Sequence, residues 1–222
     1  EFLPSDEQIA QRKAAGLGLT RPERSVLLAY SKMALYDDLL ASDLPDDSFF
    51  AQTLTDYFPH PLRERYSKQM HLHPLRREII ATCVTNTTVN RAGTSFVHRI
   101  AEETGAKPAE VVRAYTSVRE VFGLPALWKG IEALDNLVPD EVQARMLLDF
   151  GRLMTKATMW FLRRRHGEAI VATVTTYAPG VEMLLANIGA LLSRGEAQAL
   201  QGRIDALAGA GVPGDLASKV AS

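Results

Sequence analysis

Apolar residues recur along the chain at intervals of three and four, the period of an α-helix that buries one face. Ser5 with Gln8 has the spacing of a capping box and opens a short helix that ends at Gly16 or Gly18. Thr20-Arg-Pro-Glu23 is a second box, with Pro22 in the first turn, where no amide is needed. The helix it starts, from about Pro22 to Ala41, is expected to turn Val26, Tyr30, Met33 and Leu40 inward, with Leu27 and Ala34 alongside. Ser42–Asp47, built around Pro45, reads as a turn. A short helix with Phe49, Phe50, Leu54 and Tyr57 follows, broken at His60-Pro61, and then a basic helix from Pro61 to Met70.

Leu75, Ile79, Cys83, Asn86 and Asn90 share one helical stripe, and Ile80, Val84, Thr87 and Arg91 share its neighbour. Gly93 breaks or kinks this helix, and Thr94 restarts it through Phe96, Val97 and Ile100 as far as Gly105. Pro108 to Phe122 is helical with Val111, Tyr115, Val118 and Phe122 inward, followed by a short helix around Leu127, Trp128 and Ile131. Pro139 opens the longest helix, to about His166. Its seam of Met146, Phe150, Leu153, Ala157 and Trp160 is heptad-like, flanked by Leu147, Met154 and Phe161. Ile170–Tyr177 has the composition of a strand, but its period also fits a helix and no second strand signal offers it a partner, so it is assigned to helix. Two more helices, Val181–Ser193 and Glu196–Ala208, complete an all-α, multi-helix bundle of about nine to eleven helices with no substantial sheet. Boundaries fit only at Leu44–Asp47 or Asp135–Pro139. Division at the second gives helical subdomains 1–138 and 139–222, unless the whole is one domain.

Composition narrows the function classes. Twenty-five basic and 26 acidic residues leave a formal charge of −1, against the basic excess that a nucleic-acid grip needs. A single cysteine, Cys83, excludes an internal disulfide framework and multi-cysteine zinc. No apolar run is long enough to span a membrane and no secretion signal is visible, so the expected setting is the cytoplasm. The opening Glu1-Phe2 and the close at Ala221-Ser222, just after a new helical pattern begins, suggest a fragment of a longer chain.

No stretch carries a nucleophile with its base, a phosphate loop or a zinc-protease helix. Gly209-Ala-Gly211-Val-Pro-Gly214 matches a dinucleotide-binding string, yet a helix precedes it, so it reads as a turn. His71 and His73, with His60 near in sequence, lie in a proline-bounded turn and read as solvated. Cys83 reads as an inert thiol. Arg163-Arg-Arg165-His166 suits a helix C-terminus. Arg63, Arg65, Lys68, Arg76 and Arg77 could form a solvated face, an interface to an acidic surface or a phosphate grip. The best site candidate is the polar group on the apolar stripe: Asn86, Asn90, Arg91 and His98, with Thr94. These side chains could brace the kink at Gly93, face another domain, or face a ligand. Arg76 and Arg77 join them as possible interdomain or ligand contacts. No catalytic, cofactor-binding or metal-binding residue is assigned.

Three stretches carry a family resemblance: LTRPERSVLLAYSKMALYDDLLASDLPDD (Leu19–Asp47), LRREIIATCVTNTTVNRAGTSFVHRIAEETGA (Leu75–Ala106) and VVRAYTSVREVFGLPALWKGIEALDN (Val111–Asn136). They resemble the C-terminal helical part of the large bacterial NAD-specific glutamate dehydrogenases, and the likeness covers most of residues 19–185 in order. The resemblance implies a parent enzyme that converts L-glutamate, NAD and water to 2-oxoglutarate, ammonia and NADH. In that family the dinucleotide-binding sheet and catalytic residues lie upstream, so NAD belongs to the parent and no catalytic role transfers to this numbering. The implied partners are the catalytic domain of the parent chain and further subunits of a homo-oligomer, with neither nucleic acid nor membrane. The segment is expected to support the catalytic domain or the assembly and to be inactive alone. The alternative is a free-standing helical adaptor that uses the basic stretch 63–77.

Overall fold

Capping chemistry sets the helix starts. In the computed structural model, which describes residues 3–164 and 167–222, the Ser5/Gln8 box opens α1 (Asp6–Ala14) and the Thr20/Glu23 box opens α2 (Arg21–Leu40). One Glu23 oxygen accepts the Thr20 amide at 2.7 Å and also meets Arg12 Nη1 at 2.6 Å. Since α1 buries no residue of its own, this shared oxygen is its clearest tie to α2. The Arg12 guanidinium and the Thr20 donors hold the Glu23 carboxyl down at about 2.

The remaining helices are α3 (Ala51–Tyr57), α4 (His60–His71), α5 (Arg76–Ala92), α6 (Phe96–Thr104) and α7 (Pro108–Val121). They continue with α8 (Leu124–Glu132), α9 (Asp140–Arg164), α10 (Ile170–Ala186), α11 (Ile188–Leu191), α12 (Arg194–Gly209) and α13 (Gly214–Ala221). The described residues thus form thirteen α-helices and two 3-10 turns, with no strand. The class is all-α, as expected, and the count slightly exceeds nine to eleven. A third box, Ser193/Glu196, opens α12. The glycine string Gly209–Gly214 is the turn between α12 and α13, and α13 and the single turn α11 add to the expected helices. Ile170–Tyr177 is helical, and α10 runs on through Pro179 to Ala186, joining it to the start of the stretch read as a separate helix from Val181. The expected end of α9 at Arg165-His166 lies outside the described residues.

The chain divides into two compact units between Val112 and Arg113, inside α7. In the first, α2 lies along α5 and the short α3 packs on both α4 and α5. Here the sequence reading needs correction by about one residue of helix rotation. Leu35 and Leu39 are the residues α2 buries, whereas Tyr30 and Met33 are each 60% exposed. Helix α5 buries Ile80 and Val84 of the second stripe together with Ala81, Thr85, Thr88 and Val89 on its far side, and fully buries no residue of the first stripe. Gly93 separates α5 from α6 at φ +99°, a conformation open to glycine but strained for residues with a Cβ.

In the second unit, Val118 and Val121 of α7 meet Phe161 of α9, with Val174, Tyr177 and Val181 of α10 packed around them. Trp160, Phe161 and Tyr177 stack edge to face, with centroids 5.0 to 5.8 Å apart. The buried line of α9 is Met146, Phe150, Met154, Thr158 and Phe161, while Trp160 is half-exposed. A straight helix drifts from a 3.5-residue repeat by about 20° per heptad, so the heptad-like seam leaves the core towards the C-terminus. Helix α8 packs on α9 and on α13, where Leu216 Cδ1 would lie 3.3 Å from any Cβ placed at Gly130.

The lowered pKa of Glu23 makes the α1–α2 tie pH-dependent. The carboxylate's stabilising contribution is complete above the ordinary value of 4.5 and is lost as the pH falls towards about 2. Amide-exchange protection of α1 should therefore fall over that acid range in the wild type. In Glu23→Gln, which keeps an acceptor for Thr20 but not the charge, protection should be lower at neutral pH and vary less between those limits.

Candidate docking surface

The six residues singled out from sequence lie in the first unit, and the structure gives them different tasks. Arg77 ties the end of α2 to the start of α5. Its Nη2 donates to the carbonyls of Leu40 at 2.9 Å and Ser42 at 2.8 Å, and its Nη1 pairs with Asp46. The last carbonyls of a helix have no partner within it, and a planar guanidinium can serve one of them and a carbonyl of the following turn while pairing with a carboxylate. Arg76 reaches the same carboxylate, at 3.2 Å. Arg63 does the equivalent for α3, donating to the carbonyls of Phe58 and Asp56, each at 2.7 Å, and pairing with the Asp56 carboxylate at 3.0 Å. Three of the five basic residues in the 63–77 stretch are thus turned to neighbouring backbone and acids, and Arg65 stacks on Tyr66 at 5.3 Å.

Asn86 and His98 each lie on a groove beside α2. Asn86 lines the first, about 410 Å³, with Lys32, Met33, Tyr36, Asp37 and Thr85. The buried Thr85 hydroxyl there has no hydrogen-bond partner, although Thr82 and Thr87 of the same helix bond back to the carbonyls of Glu78 and Cys83. His98 lines the second, about 360 Å³, with Tyr30, Ala34, Val89, Gly93 and Val97. It is well exposed and lies 3.4 Å from Glu102, one helical turn on. Asn90 is exposed and Arg91 half-buried, and neither lines these grooves. The side chains of Asn86 and Asn90 make no hydrogen bond to the Gly93 break. The buried face of α5 turns away from their stripe, leaving Asn86 half-buried and Asn90 exposed.

Cys83 is half-buried rather than in the core, and that burial raises its pKa. His73 Nδ1 accepts the Leu75 amide at 3.1 Å and its ring lies 5.8 Å from Phe58, a turn-forming role. Among the described residues no group of His, Cys, Asp or Glu is arranged to hold a metal. Sequence reasoning missed Tyr30 and Met33, which it placed in the core. They carry the α2 surface between the grooves, and the signal for them was their apolarity alone. Two shallow, largely apolar grooves with a few polar groups at the rim suit contact with another protein surface better than bond chemistry.

Residues 16–222 match the family model described as glutamate dehydrogenase, C-terminal. The chain belongs to that family. Relatives named NAD-specific glutamate dehydrogenase, from Halomonas elongata, Pseudomonas aeruginosa and Mycobacterium tuberculosis, are 46%, 42% and 38% identical over all of this chain. The chain spans 14% of the length of each. Among the described residues, the one string that matches a dinucleotide loop lacks that loop's setting. The Gly209–Gly214 string joins two helices, with no strand before it to form a βαβ cradle. No helix among the described residues is long and apolar enough to cross a membrane.

The clamp made by Arg77 is the testable part of this geometry. Arg77→Met should lower stability in chemical denaturation by about 1–2 kcal/mol. Arg77→Lys should recover only part of it, because an ammonium lacks the fork. Full recovery by lysine would show that charge alone matters.

Proposed function

We propose that this region is the helical support of an NAD-specific glutamate dehydrogenase. The parent chain would convert L-glutamate, NAD and water to 2-oxoglutarate, ammonia and NADH in the cytoplasm, as a homo-oligomer. Hydride transfer and the water step belong to parts of the parent outside residues 1–222. This region holds the catalytic domain, or the assembly it forms, in a working geometry. The observation that carries the reading is the apolar face of α2, with Tyr30 and Met33 exposed between two grooves. An interdomain partner is the economical cover for such a face, and Asn86 and His98 would meet it at the rim. Domain closure governs many enzymes of this kind, so a support that fixes one wall of a cleft acts on rate without touching substrate. The adaptor alternative is weakened by the engagement of Arg63, Arg76 and Arg77 with neighbouring backbone and acids.

Deleting this region from the full-length enzyme should abolish glutamate-dependent NAD reduction or disperse the oligomer. Supplying residues 1–222 in trans should restore part of what is lost. A truncated enzyme that is as active and as oligomeric as the intact one would contradict the proposal.

A further inference from the structure

Helix α10 and the single turn α11 are apolar nearly all round, yet they bury little. From Ile170 to Ser193 the only charged residue is Glu182. Helix α10 fully buries just Ile170 and Thr173, and rests Val174, Tyr177 and Val181 against the Val118–Phe161 core. Beyond Val181 most residues are exposed. Met183 is 63% exposed, Leu184 53% and Leu191 62%, with Leu185 beside them. A helix that is hydrophobic on every side is normally enclosed, and a run of exposed apolar residues with little charge among them has the composition of an interface core.

We propose that the Met183–Leu191 surface is a permanent intrachain interface, covered by an apolar surface of the parent polypeptide that lies outside residues 1–222. This rests on the reading of the region as a support and adds the surface it uses. Three observations select the occupant. The chain spans 14% of the length of its relatives, so a chain of their size carries about six times as much polypeptide outside this region, tethered to it. The patch is apolar in the manner of permanent interfaces rather than of transient ones, whose rims and cores keep more charge. A lipid surface is disfavoured because the helix has no lysine or arginine to meet anionic headgroups, and a nucleic acid is disfavoured for the same reason. Pro179 adds to the case. Its missing amide weakens the middle of α10, and a helix weakened at its centre holds its shape best when a neighbour packs on it.

The test places the photo-crosslinker p-benzoylphenylalanine at Met183, and separately at Leu184, in the full-length protein. After irradiation, products are sized on a denaturing gel and mapped by peptide mass spectrometry. The expected product keeps the mass of one chain and joins position 183 or 184 to a peptide outside these 222 residues. A product of doubled mass would assign the patch to a second copy and overturn the proposal. So would a crosslink to residues 3–112, or no crosslink at either position. The outcome is independent of the deletion experiment. A mapped crosslink in an enzyme that survives loss of this region would keep the interface and remove the support role. Loss of activity on deletion without the crosslink would do the reverse.

Discussion

A helix can bury its full circumference only when neighbours surround it, and this chain makes more apolar helix surface than its own helices cover. In the first unit α2 spends Leu35 and Leu39 against the bundle and leaves Tyr30 and Met33 outside. In the second, α10 spends Ile170 and Thr173 and leaves Met183, Leu184 and Leu191 outside. Each unit has a real core, built on the α2–α5 pairing in one and on the Val118–Phe161 contact in the other. The surplus apolar faces are the surfaces that the proposed support role would use.

Helix termini were legible in the sequence because their causes are local. The Ser5, Thr20 and Ser193 boxes, and the breaks at Gly93 and Gly105, depend on residues within one turn of each other. The inward face of α2 was not legible, for a physical reason. Val26, Leu27, Leu28, Tyr30, Met33, Leu35, Leu39 and Leu40 give that helix apolar residues on several sides, and only the position of α5 decides which of them is buried. On α5 the buried face lies on the far side of the second stripe, which leaves Asn86 half-buried and Asn90 exposed. Ile170–Tyr177 and the start of Val181–Ser193 were read as separate helices, although an exposed helix can run through Pro179 and leave a carbonyl to water.

The basic stretch 63–77 shows what sequence spacing cannot reveal. Arg77 meets Leu40 and Ser42, 37 and 35 residues away, and its charge is answered by Asp46. A run of cations that read as a solvated face, an interface or a phosphate grip contains two clamps on helix C-termini, one made by Arg63 and one by Arg77. Family membership was carried instead by long strings such as Leu75–Ala106, and the match over residues 16–222 bears it out.

The account holds that the exposed faces of both units are covered in the intact enzyme. Hydroxyl-radical footprinting of the full-length protein, native against urea-unfolded, tests this at Met33 and Met183, which are 60% and 63% exposed in this region by itself. The account predicts that both methionines oxidise far more slowly in the native enzyme than in the unfolded chain. Native oxidation at nearly the unfolded rate would contradict it.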